Sequence, residues 1–333
     1  MPCAIPNAAT SNSNRKSYFK RTEIDKHMEL QRTLKKTVAV EGIGLHSGSR
    51  VSMKVLPAAP GTGIQFRRVD LPGKPEICAT LHNVISCVHA TTIGGEDFRI
   101  STVEHLMATF AGLGIDNAVV EIDGPEVPAM DGSASIFVYL FKDAGIKVQG
   151  MPRRFIEVIE EVTITQNDKK VTFLPYDSFY VDFFIDFPHP VIKSQRFKAN
   201  ITRKTFEKRI AKARTFGFLK EVQMLHENGL ALGASLENAV VIGKHCVLNQ
   251  EGLRFSDEFV RHKVLDIIGD LYLLGAPIRA KVIAEKSGHD IHCKAIKKLL
   301  ETRSAWRYSN GRNSVNNLVK WNDTVAPATE AFI

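Results

Sequence analysis

Groups of strand-like segments, each followed by a well-delimited helix, occur twice along this 333-residue chain. In the first half, residues 33–58 alternate apolar and polar side chains around a glycine-rich turn, and the strand-like run DNAVVEID follows further on. In the second half, the runs FIEVIEEVTIT, KKVTFLP and FYVDFFIDF follow one another. Strands grouped before helices are typical of α+β proteins, so this order predicts two similar α+β units. No evident sequence repeat links the two halves.

The boundary between the two units is predicted at the sequence GMP, residues 150–152, where we expect a turn. A typical size of about 150 residues per domain also favours two domains. The predicted organisation has four segments: a flexible basic N-terminal arm at 1–30, a first α+β domain at 31–150, a second α+β domain at 151–310 and a C-terminal tail at 311–333.

Positive charge is concentrated at the start of the chain. The formal net charge is +8, and residues 1–36 contain eight Lys or Arg but only three Asp or Glu. We interpret this segment as a solvated basic tail. The alternative interpretation is a segment attracted to an anionic membrane surface or to nucleic acid.

Several features indicate the cellular compartment. A membrane-spanning helix needs about 18 or more consecutive apolar residues, and the apolar runs of this chain are far shorter. The chain does not open with a charged and then apolar signal peptide. Its five cysteines are odd in number and show no CxxC spacing, which fits a reducing compartment and argues against a zinc ribbon. We therefore expect a cytoplasmic protein without a transmembrane segment.

Two helices can be placed from their end signals. The first is predicted to begin at Ser101, with Ser101 as N-cap and Glu104 completing a capping box, and to stop at Gly112. The second is predicted to run over residues 257–274, with Ser256 as its cap. Both helices contain residues that can bind metal or transfer protons.

On the second helix, His262, Asp266 and Asp270 are spaced four residues apart and therefore face the same way. Their neighbours are apolar, so part of this helix is predicted to be buried. A buried carboxylate needs a partner, and a metal ion can satisfy several donors at once. The alternative is an exposed helix face with an ordinary His–Asp pair.

The first helix contains Glu104 and His105 side by side, so that His105 can bind a metal while Glu104 acts on a water molecule. Alternatively, Glu104 belongs to a capping box and His105 is a buried, hydrogen-bonded histidine. His289 follows a glycine in a loop and is either a functional group or a simply exposed histidine. Taken together, two histidines and one aspartate form the three-ligand set of catalytic zinc sites, which leave a fourth position for water.

Seven segments between residues 42 and 289 together resemble the UDP-3-O-acyl-N-acetylglucosamine deacetylases, the zinc amidases of the committed step of lipid A biosynthesis. The resemblance extends over about residues 31–310, and residues 1–30 lie outside it. The segments, in the order of the family, are GIGLHSG, ISTVEHL, GLGIDN, MDGSA, RTFGF, LRFSDEFVRHKVLDIIGDL and KSGH.

The resemblance implies catalytic roles for the matching residues. Glu104 corresponds to the general base that deprotonates the attacking water. His289 corresponds to the protonated histidine that stabilises the oxyanion and donates to the leaving amine, and Asp270 to the carboxylate that keeps this histidine charged. Thr215 corresponds to a hydroxyl donor to the oxyanion. The implied zinc ligands are His105, His262 and Asp266.

The resemblance also implies substrate contacts. Lys263 corresponds to the lysine that meets the substrate phosphates, Phe216 to part of the substrate wall, and His46 to a turn that borders the site. Residues 218–229, FLKEVQMLHENG, have apolar side chains at helical spacing and correspond to an insertion that walls an acyl passage. The alternative is a helix packed on the core.

These observations lead to one expectation for the whole chain. We expect two α+β domains, each a β-sheet layered with two α-helices, with the active site at the interdomain cleft. The implied function is zinc-dependent hydrolysis of the N-acetyl group of UDP-3-O-(3-hydroxyacyl)-N-acetylglucosamine, which releases acetate. We expect a monomer whose partner is this UDP-linked acylated amino sugar, with no nucleic-acid partner and no more than peripheral membrane contact.

Two other functions stay open at this stage. One is a zinc hydrolase that acts on a different acylated amino sugar, for which UDP would not be required. The other is a nucleic-acid-binding α+β protein, which would need Lys and Arg clustered on one ordered face.

Overall fold

The computed structural model of the protein describes residues 29–310. The predicted arm at residues 1–30, apart from its last two residues, and the predicted tail at 311–333 lie outside these residues. Within them the fold is α+β, as predicted. The helices are α1 (Glu104–Leu113), α2 (Ser135–Ala144), α3 (Arg203–Thr205), α4 (Val222–Glu227), α5 (Glu258–Tyr272) and α6 (His289–Glu301).

The first half is built on a five-stranded sheet in the order β2-β3-β9-β4-β5. Alternation explains its burial: Val51, Met53 and Val55 on β3 are buried, whereas the residues between them are exposed. The helices of this half are α1 and α2. Its strands are β1 (Leu30–Leu34), β2 (Val38–Ile43), β3 (Arg50–Pro57), β4 (Ile64–Arg68), β5 (Glu76–Cys78), β6 (Val84–Ser86), β7 (Thr92–Gly94), β8 (Arg99–Ile100), β9 (Ala118–Ile122) and β10 (Ile146–Pro152).

The second half is built on a seven-stranded sheet with β18 at its centre. β18 is antiparallel to β13 and parallel to β11 and β14. α5 packs on β14 and β15, and α6 packs on β12 and β13. The strands are β11 (Arg154–Val158), β12 (Val162–Gln166), β13 (Lys169–Leu174), β14 (Phe179–Phe187), β15 (Lys193–Asn200), β16 (Phe216–Phe218), β17 (Val240–Ile242), β18 (Ile278–Glu285) and β19 (Trp306–Asn310).

The segment that connects the two halves differs from the prediction. Residues 150–152 do not form a turn but complete β10, which pairs with β1 so that Leu30 lies opposite Pro152. A proline is tolerated there because, among residues 29–310, β10 is an edge strand that pairs only with β1. The next strand begins only two residues later, at Arg154.

The predicted start of α1 is wrong by a few residues, whereas the predicted start of α5 lies within one residue of the observed start. α1 begins at Glu104 behind Val103, while Ser101 forms a bridge with Glu126 instead of capping the helix. α1 also continues past Gly112 and ends against Gly114, whose φ of 69° is left-handed. α5 begins at Glu258 and ends at Tyr272, and its N-cap position is Asp257 rather than the predicted Ser256. Glu104 is buried and contacts Thr91 and His289, as described below, which accounts for the shifted start of α1.

The two halves meet where α1 packs on α5. Gly269 makes this approach possible, because a Cβ atom at that position would lie 2.0 Å from the carbonyl oxygen of Glu104. The buried apolar side chains of both halves belong to one continuous cluster. The first residues of α1 therefore lie directly against the middle of α5.

Two further features concern residues 29–310 as a whole. Cys87, which follows β6, and Cys293 on α6 are joined by a disulfide, a pairing that the sequence did not indicate. Among the residues that the structure describes, no helix combines the length and apolar character needed to span a membrane.

Candidate metal centre

Three buried donor residues from α1 and α5 converge where these helices touch. Ligand atoms of His105, His262 and Asp266 all lie within 4.8 Å of one another. Asp266 Oδ1 lies 3.3 Å from His262 Nε2 and 3.7 Å from His105 Nε2. His262 and Asp266 come from adjacent turns of α5, and His105 comes from the first turn of α1. The structure therefore brings together the three residues that the resemblance implied as ligands.

The carboxylate of Asp266 has one oxygen that fits a cation. Its Oδ2 accepts a hydrogen bond from Lys263 Nζ at 2.8 Å. Its Oδ1 is buried and has no hydrogen-bond partner within residues 29–310. Burial would raise the pKa of Asp266, but His262, Lys263 and His289 outweigh it and hold this pKa well below its usual range. An ionised, buried and unpaired oxygen is costly unless a cation satisfies it.

The two histidines are in the form that binds metal. Burial and the neighbouring His262 lower the pKa of His105 to about 3, and burial also lowers the pKa of His262. His262 Nδ1 lies 3.1 Å from the carbonyl oxygen of Ala213, which directs its hydrogen there and leaves Nε2 as the electron-pair donor. Two neutral imidazoles and one carboxylate form a donor set that suits zinc.

Glu104 lies beside the donor set and does not cap α1. Its Oε2 accepts a hydrogen bond from the backbone N–H of Thr91 at 3.1 Å, and its Oε1 lies 3.6 Å from His289 Nε2. Burial raises the pKa of Glu104, His289 opposes this, and Asp270 and Asp266 add to it, so that the pKa reaches about 7. A carboxylate with this pKa can exchange a proton near neutral pH. The capping-box interpretation is therefore wrong.

His289 is the first residue of α6 and is buried, so the interpretation as an exposed loop histidine is also wrong. Its Nδ1 lies 2.8 Å from Asp270 Oδ2, and its Nε2 faces Glu104. Burial would lower the pKa of His289, but Asp270, Glu104 and Asp266 outweigh it and raise the pKa to about 10. At neutral pH this imidazole is a cation whose Nε2 hydrogen is available to the site.

Asp270 holds His289 and is itself held by other donors. Its Oδ1 accepts from the Thr91 hydroxyl at 2.6 Å, and its Oδ2 accepts from His289 Nδ1 and from His292 Nδ1, the latter at 2.7 Å. Burial would raise the pKa of Asp270, but His289 and His292 outweigh it and keep this pKa low. Asp270, His289 and His292 also lie close enough to hold a metal, but their polar atoms are hydrogen-bonded to one another.

The segment that contains Thr215 and Phe216 borders the donor set. Ala213 accepts the hydrogen of His262, and the Phe216 ring lies 6.2 Å from the His262 ring and 5.6 Å from Lys263 Nζ. Thr215 is half-buried and joins two parts of the chain through its backbone, donating to Gly132 and accepting from Val240.

Lys263 and His46 lie at the edge of the site. The Lys263 side chain is 21% exposed and its Nζ contacts Asp266. The turn that contains His46 is fixed by the buried carboxylate of Glu126, which accepts from the His46 N–H at 2.9 Å and from the Thr102 hydroxyl at 2.8 Å. Burial lowers the pKa of His46, Glu126 opposes this, and the nearby His289 lowers it further.

Several residues that build the site were not found from the sequence. Thr91 contacts both Glu104 and Asp270 but lies in a segment without a recognisable motif. Arg214 is 1% exposed and pairs with the buried Glu258 at 2.9 Å, which anchors the segment before Thr215 to the start of α5. His292 follows His289 by three residues, and this helical spacing is a signal that could have found it.

The helix predicted within residues 218–229 is present as a short 3₁₀ turn followed by α4. None of the six residues of α4, all of which the structure describes, is buried. Leu219 and Met224 are 52% and 49% exposed. This element is therefore not an ordinary helix packed on the core.

Comparisons with known proteins agree with this geometry. The family model for UDP-3-O-acyl N-acetylglycosamine deacetylase matches residues 31–301. The chain is 47% identical over 280 residues to the UDP-3-O-acyl-N-acetylglucosamine deacetylase of Cellvibrio japonicus, and the aligned region spans 84% of this chain and 92% of the relative. It is 49% identical over 278 residues to the protein of the same name from Methylococcus capsulatus, which covers 83% and 91%. The chain therefore belongs to the UDP-3-O-acyl-N-acetylglucosamine deacetylase family.

Proposed function

We propose that this protein hydrolyses the N-acetyl group of UDP-3-O-(3-hydroxyacyl)-N-acetylglucosamine, releases acetate and leaves a free amine, as a zinc-dependent step of lipid A biosynthesis in the cytoplasm. The observation that carries the proposal is the juxtaposition of the donor set with Glu104 and His289, whose facing atoms lie 3.6 Å apart. A metal site, a base and an acid are the groups that amide hydrolysis requires.

The proposed metal ligands are His105 Nε2, His262 Nε2 and Asp266 Oδ1. Zinc bound there would lower the pKa of a water molecule and polarise the amide carbonyl. Lys263 holds the other oxygen of Asp266, so that Oδ1 stays directed at the cation. Ala213 fixes the ring of His262 in the same way.

The chain's own residues move the protons. Glu104 in its ionised form accepts a proton from the attacking water as the oxygen adds to the carbonyl carbon. His289, as a cation, then donates its Nε2 hydrogen to the amide nitrogen while the carbon–nitrogen bond breaks. The products are acetate and an amine. Asp270 keeps His289 protonated through its hydrogen bond to Nδ1.

Other residues are proposed to bind the substrate. Thr215 supplies a hydroxyl to the oxyanion, together with His289. Lys263 meets the phosphates of the nucleotide, Phe216 forms part of the substrate wall, and His46 borders the site. The exposed apolar side chains around α4 support the proposal that this element walls the passage for the acyl chain.

The proposed setting is a monomer with domains at 31–150 and 151–310 and the active site at the cleft between them. The contact of α1 with α5 supports this location, because each half supplies one of these two helices.

Metal analysis combined with an acetate-release assay tests the proposed function. We expect close to one zinc per chain and activity that a chelator abolishes. His262→Ala and Asp266→Ala should each lose zinc and activity together, because each removes a ligand. His245→Ala, at an exposed histidine, is the matched control and should keep both.

Two outcomes would contradict the proposal. Wild-type zinc content in His262→Ala or Asp266→Ala would exclude the ligand set. Equal turnover of the matching acylated amino sugar without UDP would exclude the nucleotide-linked substrate and favour another zinc hydrolase.

A further inference from the structure

His292 is a buried histidine that the proposed chemistry does not use. It lies on α6 one turn after His289 and is fully buried. Its Nδ1 lies 2.7 Å from Asp270 Oδ2, and its Nε2 lies 2.9 Å from the hydroxyl oxygen of Ser287. The Phe183 ring packs against it edge-on, with centroids 6.1 Å apart. Both ring nitrogens are therefore engaged.

The hydrogen-bond network assigns the tautomer of this ring. Burial lowers the pKa of His292, although its hydrogen bond to Asp270 opposes this, so the ring is neutral and carries one N–H. The Asp270 carboxylate can only accept, so the hydrogen lies on Nδ1. Nε2 then accepts from the Ser287 hydroxyl. Ser287 thus keeps the Nδ1–H of His292 directed at Asp270.

Among the described residues, His292 is one of three donors that hold the Asp270 carboxylate. The other two are the Thr91 hydroxyl on Oδ1 and His289 Nδ1, which shares Oδ2 with His292. Without His292, His289 would be the one described residue that donates a hydrogen bond to Oδ2, so the carboxylate and the imidazole could rotate together. With His292 present, Oδ2 is fixed by a donor that does not take part in the reaction.

We propose that His292, oriented by Ser287, is a positioning residue that fixes the Asp270 carboxylate so that His289 Nε2 stays directed at Glu104. This inference rests on the proposed function in so far as His289 acts there as the acid. In metal sites, mutation of a buried residue that orients another functional residue typically lowers activity by about 10–100-fold.

Asparagine and leucine at this position form a matched pair. The two side chains have nearly the same shape, and the asparagine Nδ2 is as many bonds from Cα as the histidine Nδ1. Both leave the same space in the core, but only asparagine can donate to Asp270. A purely structural role for His292 would therefore affect both variants equally.

We expect His292→Leu to lower kcat roughly tenfold, at the low end of such effects. KM should not change, because His292 is fully buried, and zinc content should stay at the wild-type level. His292→Asn should have a kcat close to that of the wild type. Equal kcat values in the two variants, whether both normal or both reduced, would overturn the proposal.

A double-variant test shows whether His292 acts through His289. In a His289→Ala background, His292→Leu should cause no further loss of kcat, because the residue to be positioned is already absent. A further tenfold loss in that background would contradict the proposal.

Proton NMR tests the positioning without relying on activity. The Nδ1–H of His289 should give a resolved downfield imidazole signal, assigned by its loss in His289→Ala. The signal should persist in His292→Asn and shift or exchange away in His292→Leu, and an unchanged signal in His292→Leu would overturn the proposal.

If the wild-type protein has no deacetylase activity, the proposed function fails while this measurement still decides the positioning. If His292→Leu does not fold, His292→Phe fills the ring volume without a donor and replaces it.

Discussion

The buried charges of the site determine one another's protonation. Glu104 and His289 face each other at 3.6 Å, and each stabilises the charged form of the other. The pKa of Glu104 is nevertheless raised to about 7, because burial disfavours its charge more than His289 favours it. The pKa of His289 reaches about 10, because Asp270 and Glu104 together outweigh its burial. Between these values Glu104, the proposed base, is ionised and His289, the proposed acid, is protonated.

The proposed roles therefore predict a bell-shaped dependence of kcat/KM on pH. Activity should rise as Glu104 ionises, with an acid limb at or below about 7, and fall as His289 loses its proton, with an alkaline limb at or below about 10. A divalent cation in the site lowers both pKa values, so neither limb should lie above these figures. Initial rates of acetate release measured across this range check the prediction.

Three variants test which residue is responsible for each limb of the pH profile. Asp270→Asn should move the alkaline limb to lower pH, because the neutral amide no longer stabilises the imidazolium of His289. Glu104→Gln should keep its zinc and lose most turnover, because an amide cannot accept the proton. The assignment of the acid fails if the alkaline limb stays at the same pH in both Asp270→Asn and His289→Ala.

Individual residues of the site also differ in how well the sequence predicted them. The spacing of His262, Asp266 and Asp270 was readable because a helix repeats every 3.6 residues. The structure buries all three and places His262 and Asp266 in one donor group, whereas Asp270 belongs to a second group with His289. Thr91 could not be found in this way, because its contacts with Glu104 and Asp270 join segments that are distant in sequence.

At the scale of elements, the site depends on how closely α1 approaches α5. The carbonyl oxygen of Glu104 occupies the space in which a side chain at position 269 would begin. His105 belongs to α1, whereas His262 and Asp266 belong to α5, so the distance between the helices sets the distance between the proposed ligands.

Gly269→Ala should therefore separate the ligands. Alanine favours a helix by about 1 kcal/mol relative to glycine. Here its Cβ would lie 2.0 Å from the Glu104 oxygen, so α1 has to move away from α5. We expect weaker zinc binding and a lower Tm, measured by zinc titration and thermal unfolding.

Gly150→Ala is the control, since a Cβ there meets nothing within 4 Å. It should leave zinc affinity at the wild-type value. Wild-type zinc affinity in Gly269→Ala would show that the spacing of the helices does not set the ligand geometry.

The helix ends illustrate why element boundaries were predicted less well than the elements. The residues Ser101-x-x-Glu104 have the pattern of a capping box. The Glu104 carboxylate instead accepts a hydrogen bond from the Thr91 backbone and faces His289. Glu258 at the start of α5 is likewise used by a distant group, the buried Arg214. Local patterns give the start of a helix only where no distant partner competes for the same side chain.

At the scale of the molecule, the class of the fold was predictable but its connections were not. The strand-like runs 116–123 and 179–187 contain β9 and β14, because alternating or continuous apolar residues mark buried strands. That β9 lies between β3 and β4, and that β18 lies at the centre of its sheet, depends on pairing between segments far apart in the chain. The contact of α1 with α5 also joins distant segments.

The disulfide between Cys87 and Cys293 joins parts of the chain that are 206 residues apart. Such a link restricts the unfolded chain, and the chain-entropy estimate for a loop of this size is about 5 kcal/mol. The shift is about 2 °C per kcal/mol at the lower end of the range for chains of 150–250 residues, which suits this longer chain, so Tm should fall by roughly 10 °C when the link is absent. Cys87→Ser and Cys293→Ser should show this loss under oxidising conditions.

Tm values measured with and without a reducing agent separate the effect of losing the disulfide from the effect of the substitution itself. With a reducing agent present, wild type and both variants should melt at the same temperature, because none of them then has the disulfide. Cys246→Ser is the control, since Cys246 is an exposed free cysteine and its replacement should not change Tm in either condition. Equal Tm values for wild type and Cys293→Ser without reductant would contradict a stabilising role for this disulfide. If thiol titration of the oxidised wild type also found Cys87 and Cys293 free, the link itself would be absent in solution.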